Sequence, residues 1–318
     1  MVSTQYAQPT WRHRDGDITF PLIEVRGADG PTLSIVAGIH GCEFPGMEAC
    51  RRLVAETDLT DLRGRLRVVP IANVPGFYGR SEAVCPVDGK NLVRVFPGDP
   101  EGSYGEALAY YLMKEVVEGS DALLDIHGGD IFETLVPYSG AEHGGPGDTT
   151  QRSLELARAY DLPFVVRMVG KSNTGPLDTT GGLMSTAAAA LGIPSAFHES
   201  GGQGLMNEEF ILTHLQGMRN TLYHLGMLPG EVVAKHSPDL LLSDFWRARE
   251  EGMFYPLVQL RDRVKTGQVI GLVRDLFGKV TEEIVAPRDA WIIAIVTCFS
   301  CKKKGVVYQV AYEGEAGA

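Results

Sequence analysis

Short apolar runs recur along the first 230 residues, separated by polar, glycine-rich stretches. Leu33 to Ala37, Leu66 to Ile71, Ala122 to Ile126, Phe164 to Met168 and Ile193 to Phe197 are near-continuous apolar segments, the pattern of strands covered on both faces. Ile18 to Val25 predicts a further strand, closed by Gly27 and the Asp29-Gly30-Pro31 turn. Between the runs, helical spacing predicts helices over Met47 to Glu56, Tyr104 to Val117, Thr149 to Tyr160, Leu183 to Leu191 and Glu208 to Leu225. Strand, loop and helix alternate in this way in an α/β fold. Three long connections interrupt the rhythm, Asn73 to Tyr104, Gly128 to Gly147 and the Gly-rich Gly170 to Gly182. Loops of such length in a compact domain tend to carry function.

After Gly230 helical spacing largely disappears. Phe254 to Leu260, Val269 to Val273, Lys279 to Val285, Trp291 to Val296 and Val306 to Tyr312 alternate with turns. The pattern predicts two units, an α/β domain over residues 1–230 and a small β domain over residues 231–318.

Composition narrows the function more than the fold. With 44% apolar and 22% charged residues the chain is of ordinary globular make-up. A formal charge of −11 repels nucleic acid. Five cysteines make no disulfide framework and point to a reducing cytoplasm. No segment has the apolar length of a membrane helix, and the N-terminal stretch lacks the apolar core of a signal peptide.

Chemistry concentrates at the ends of the apolar runs. His40 and Glu43 lie in Gly38-Ile39-His40-Gly41-Cys42-Glu43, just past Leu33 to Ala37. His127 closes Ala122 to Ile126, and Glu199 follows Ile193 to Phe197. Ligands of open α/β sheets bind beyond the carboxyl ends of the strands, so these groups are expected to converge on one rim. Two imidazoles and a carboxylate make the protein share of a catalytic zinc site, with water in the fourth position. His40, Glu43 and His127 are therefore expected to bind one Zn²⁺ per chain. Asp125 shares a strand face with His127 and is a candidate outer partner for its imidazole. Alternation turns His198 away from the site.

The joint pattern resembles the succinylglutamate desuccinylase/aspartoacylase family, the deacylase branch of the zinc-carboxypeptidase-like fold. The resemblance rests on His40-Gly41-Cys42-Glu43, on Asp125-Ile126-His127, on the strand-end Glu199, and on Asn91-Leu92-Val93-Arg94-Val95-Phe96-Pro97-Gly98 beside the family's Asn-Leu-Asn-Arg-x-Phe-Pro-Gly. It implies a mixed sheet flanked by helices, with a C-terminal barrel-sandwich or lipoyl-like module. That module carries Arg288-Asp289-Ala290 where a carrier domain has its Met-Lys tip, so it is expected to shield the site or to mediate homo-oligomer contacts. The implied reaction is removal of a short acyl group from an N-acyl amino acid, with an acidic or diamino acid as its core. Glu199 is then the general base and Arg80 the electrophilic partner of the carbonyl. Arg94 anchors the substrate carboxylate, and Asn91 binds substrate or orients Arg94. Val93 departs from the family pattern, which has Asn there beside the Arg. A carboxypeptidase-like peptidase and a non-catalytic binding protein on the same scaffold are the competing readings.

Overall fold

The computed structural model describes residues 2–141, 144–168, 182–236 and 238–314. Most of the Gly170 to Gly182 connection lies outside the described residues.

The apolar runs become the middle of a mixed sheet that gathers thirteen strands among the described residues. Its central order is Leu22–Arg26, Arg63–Val69, Ala28–Ala37, Ala122–His127, Ser195–Glu199, Tyr138–Ala141, Phe164–Met168, Leu240–Arg247, Val306–Tyr312 and Ala290–Val296. Ala28–Ala37, Ala122–His127 and Ser195–Glu199 run parallel, and their register sets Ala37 beside Ile126 and His127 beside Glu199. Three strand ends therefore meet at one rim, as the positions of the polar residues predict.

Side chains alternate between two cores, as the pleat requires. Leu33, Ile35, Leu124 and Ile126 face helices Phe44–Glu56, Thr149–Ala159 and Glu208–His224. Val36 and Leu123 face the opposite side, with helices Tyr104–Leu112 and Met184–Ala190. The predicted helix to Val117 tightens to α geometry only as far as Leu112 and continues as a wider π turn, Met113–Val117. There the Val116 carbonyl accepts from Ser34 Oγ at 2.7 Å and from Arg67 at 2.9 Å, so side chains take over part of the backbone bonding.

Strands also form where the pattern shows none. Glu133–Leu135 and Tyr138–Ala141 lie in the expected Gly128 to Gly147 loop, and Leu240–Arg247 precedes the first strand expected in the C-terminal segment. Leu240–Arg247 pairs in parallel with Phe164–Met168, and Ala290–Val296 pairs with Glu133–Leu135, so the C-terminal strands extend the main sheet. Gly252–Pro256, Val269–Arg274, Val280–Val285 and Ser300–Cys301 form a separate four-stranded sheet. Among the described residues no helix is long and apolar enough to cross a membrane.

Candidate active site

The loop after Ala37 is built by close backbone contact. Gly38 has φ +72°, and a Cβ on Gly41 would stand 2.2 Å from the Gly76 backbone, so neither position admits a side chain without rearrangement. Asn73 pins the loop from below: its N–H donates to Gly38 O at 2.8 Å and its amide nitrogen to Ile39 O at 3.2 Å. The glycines around His40 thus serve chain packing.

Glu43 stands at the N-cap of helix Phe44–Glu56, yet its side chain makes no cap bond. It turns instead to the two imidazoles. Glu43 Oε1 lies 2.6 Å from His40 Nδ1, and Oε2 lies 3.1 Å from His127 Nδ1. One ligand atom from each of the three residues falls within 4.8 Å of the others. Both rings present Nδ1 to this centre and Nε2 away from it. His40 Nε2 meets Asn91 Oδ1 at 3.2 Å. His127 Nε2 stands 3.0 Å from Asp125 Oδ1, a close ion-pair contact whose alignment falls short of a hydrogen bond. Inward ring nitrogens, outward ring nitrogens facing oxygens and a carboxylate between the two rings make a donor set that could hold a divalent ion. The donor set fits zinc.

Electrostatics agree with a centre made for a cation. Burial alone would raise the Glu43 carboxyl, but the facing His40 and His127 outweigh it and hold it well below the usual range. Burial opposes the charged form of His127, and Asp125 and Glu43 nevertheless raise its pKa well above that of a free imidazole. Glu199 is pushed well above the carboxylate range by burial; His127 opposes this, while Glu43, Glu133 and Asp125 add to it. A dication in the centre would reverse that balance and favour the Glu199 carboxylate.

The centre opens into a cavity of about 760 Å³. His40, His127, Glu199, Asn91, Val93 and Arg94 all line it. Arg80 does not: it is exposed, with φ 51°, at the C-cap of the short helix Val74–Gly79. His198 faces away, fully buried, with its ring stacked on Tyr160 and Nδ1 2.8 Å from Ser139 Oγ. Cys42, between two of the predicted ligands, has its thiol pushed up to about 12, chiefly by burial, which leaves it a packing residue.

Other lining groups are not among the residues expected from the sequence. Glu82, Asp130 and Glu133 make an acidic wall, in which burial and mutual repulsion raise Glu82 to about 7 and Glu133 to about 8. Asp130 follows His127 closely enough for motif proximity to have marked it; Glu82 and Glu133 are brought in only by the tertiary fold. The C-terminal segment lines the cavity too, with Phe245, Val296, Cys298, Lys302 and Val306 among its contributions.

Comparison with known proteins gives three findings. Residues 29–225 match the family described as succinylglutamate desuccinylase/aspartoacylase catalytic domain. The chain is 31% identical over 286 residues to the N-alpha-acetyl-L-2,4-diaminobutyric acid deacetylase of Halomonas elongata, covering 88% of this chain and 81% of that one. Among solved structures, the product-bound ectoine utilization protein EutE (DoeB) of Ruegeria pomeroyi superposes with a TM-score of 0.86 at 27% identity, covering 98% and 95% of the two chains. A succinylglutamate desuccinylase/aspartoacylase structure from Rhodobacter sphaeroides gives the same TM-score at 22% identity, covering 98% and 96%, and so shares the fold.

Proposed function

Since the chain belongs to the succinylglutamate desuccinylase/aspartoacylase family, we propose that it is a zinc-dependent hydrolase that removes a short acyl group from an N-acyl amino acid. The observation that carries this reading is the meeting of His40, Glu43 and His127 in one cluster, with His40, His127 and Glu199 lining the same cavity. A diamino acid core is favoured by the Halomonas relative, whose name specifies an acetylated diaminobutyrate.

His40 Nδ1, the Glu43 carboxylate and His127 Nδ1 would hold the ion. When bound, zinc supplies a Lewis acid that acidifies water and polarises a carbonyl. Glu199 takes the proton from the attacking water and returns it to the leaving amine. Its position opposite His127 on the neighbouring strand supports that role. Arg94 pairs with the substrate carboxylate, for which a planar guanidinium suits two oxygens at once. Arg80, exposed at the end of the short helix Val74–Gly79 and outside the cavity lining, would have to swing inward to act as the partner of the developing oxyanion. Glu82, Asp130 and Glu133 offer acceptor oxygens to a second amino group of the substrate, and an ammonium beside them would draw Glu82 and Glu133 back toward their charged forms.

Metal analysis of the purified protein, combined with turnover of N-acetyl amino acids and of short peptides, tests the reading. Zinc near one equivalent and hydrolysis of the N-acetyl compounds in preference to peptides are expected. Glu199→Gln should keep the zinc and abolish turnover. A zinc-loaded protein inert toward the whole panel would end the hydrolase reading, and peptide preference would make it a peptidase.

A further inference from the structure

We propose that Asn91 joins the metal centre to the substrate anchor. Its amide oxygen fixes both His40 and the turn that carries Arg94, and its amide nitrogen supplies the carboxylate donor that Val93 lacks. This rests on the proposed function above.

An amide's orientation is decided by its partners. The Val93 backbone N–H can only donate, so the atom that faces it at 3.1 Å is the oxygen. The same oxygen lies 3.2 Å from His40 Nε2. His40 Nδ1 faces Glu43 and must be unprotonated to bind an ion, so the ring proton sits on Nε2 and is donated to Asn91. One oxygen with two lone pairs thus takes two bonds and is saturated. It holds the imidazole on one side and, on the other, caps the short 3₁₀ turn Leu92–Arg94.

The amide nitrogen is then left with two donor hydrogens, and among the described residues it has no partner. The side chain lines the cavity together with Val93 and Arg94. An amide N–H₂ beside a guanidinium is suited to carboxylate oxygens. Val93 is partly buried against the apolar cluster behind the turn and offers no donor from its side chain. The other imidazole is held differently, since the partner of His127 is the Asp125 carboxylate, which has acceptors only. Asn91 therefore serves metal and substrate from opposite ends of one amide.

Two substitutions separate the two roles. Asn91→Asp keeps an oxygen toward His40 and Val93 and replaces the donor by a second acceptor. Asn91→Ala removes both ends. Each is made in wild-type and in Glu199→Gln protein. Zinc affinity is read by competition with a chelator. Binding of Nα-acetyl-L-2,4-diaminobutyrate and of its C-terminal carboxamide to the zinc-loaded Glu199→Gln forms is read by calorimetry, without turnover. For Asn91→Asp we expect zinc affinity within about threefold of the parent and acid binding weakened by about tenfold or more, the loss of one charge-assisted bond. The carboxamide should be affected far less. For Asn91→Ala, zinc affinity should fall by roughly 10- to 100-fold, as for other outer partners of ligating histidines. Unchanged zinc affinity in Asn91→Ala, or equal losses for acid and carboxamide in Asn91→Asp, would overturn the proposal. Failure of wild-type protein to hydrolyse any substrate would count against the hydrolase reading alone, because neither measurement depends on turnover.

Discussion

Glu43 shows how function overrides local preference. An N-cap residue ordinarily bonds the free N–H groups of its helix. Glu43 spends both carboxylate oxygens on His40 and His127, and helix Phe44–Glu56 begins without a side-chain cap. Asp125 completes the arrangement from below: only 1% exposed, its Oδ1 stands 3.0 Å from His127 Nε2. Asp125→Asn keeps the shape and an oxygen but removes the charge. Zinc affinity, measured by chelator competition, should fall about 10- to 100-fold with the fold retained; unchanged affinity would make Asp125 a packing residue. At this scale the sequence was highly legible for groups tied to strand ends. His40, His127 and Glu199 could be placed from run boundaries, Glu43 from its spacing of three from His40, and Asp125 from the period of two before His127. Glu82 and Glu133 could not, because nothing local distinguishes a carboxylate that folds into a cavity from one in solvent.

Helices and loops depend on one another near the site, and Glu106 carries one such link. It lies in the first turn of Tyr104–Leu112, where its Oε2 accepts from Ser103 N at 2.8 Å and pairs with Lys90 Nζ at 2.8 Å. Lys90 immediately precedes Asn91, so the helix start steadies the loop that reaches His40. The Lys90 side chain and the Ser103 N–H hold Glu106 down at about 2, against 4.5 for an unperturbed glutamate. A lowered native pKa stabilises the fold above the unfolded value, and the contribution disappears as pH falls from about 4.5 through about 2. Glu106→Gln should therefore cost about 1 kcal/mol at pH 7, a typical cap loss. Urea unfolding at pH 7 and near pH 3 checks it: the gap between wild type and variant should narrow at the lower pH, and a gap of constant size would show that charge plays no part. Elements with long periodic runs were easy to anticipate. Tyr138–Ala141 was not, since four residues, one of them Gly, carry no alternation, and Leu240–Arg247 begins with three leucines that suit a strand and a helix equally.

Across the whole molecule, the C-terminal segment completes the cavity and yet has its own interior. The buried residues of one apolar cluster all lie within 242–312, and those of the two clusters around the helices within 18–228, with Leu240 of the C-terminal segment packed against one of the latter. A fourth, smaller cluster joins them: Leu135, Tyr138, Val166 and Phe197 pack on Leu241, Ile293, Ala294 and Ala311. A chain that ends at Gly230 keeps the strands and helices that position His40, Glu43, His127 and Glu199. It loses one of the two partners of strand Phe164–Met168 and exposes the apolar side of that seam, so an open sheet edge and a greasy patch coincide. It also loses Phe245, Val296, Cys298 and Val306 from the cavity wall. The expected outcome is a truncated chain that binds zinc about as well as the full-length protein, self-associates on a sizing column, and has lost turnover. Zinc binding should survive because, among the described residues, none of the proposed ligands or their outer partners comes from beyond residue 230. Turnover fails because about a third of the lining that orders the substrate and keeps water out is gone. Retained activity in the monomeric fraction would show that the C-terminal strands only border the site, and loss of zinc would show that the seam also holds the metal-bearing strand ends in register.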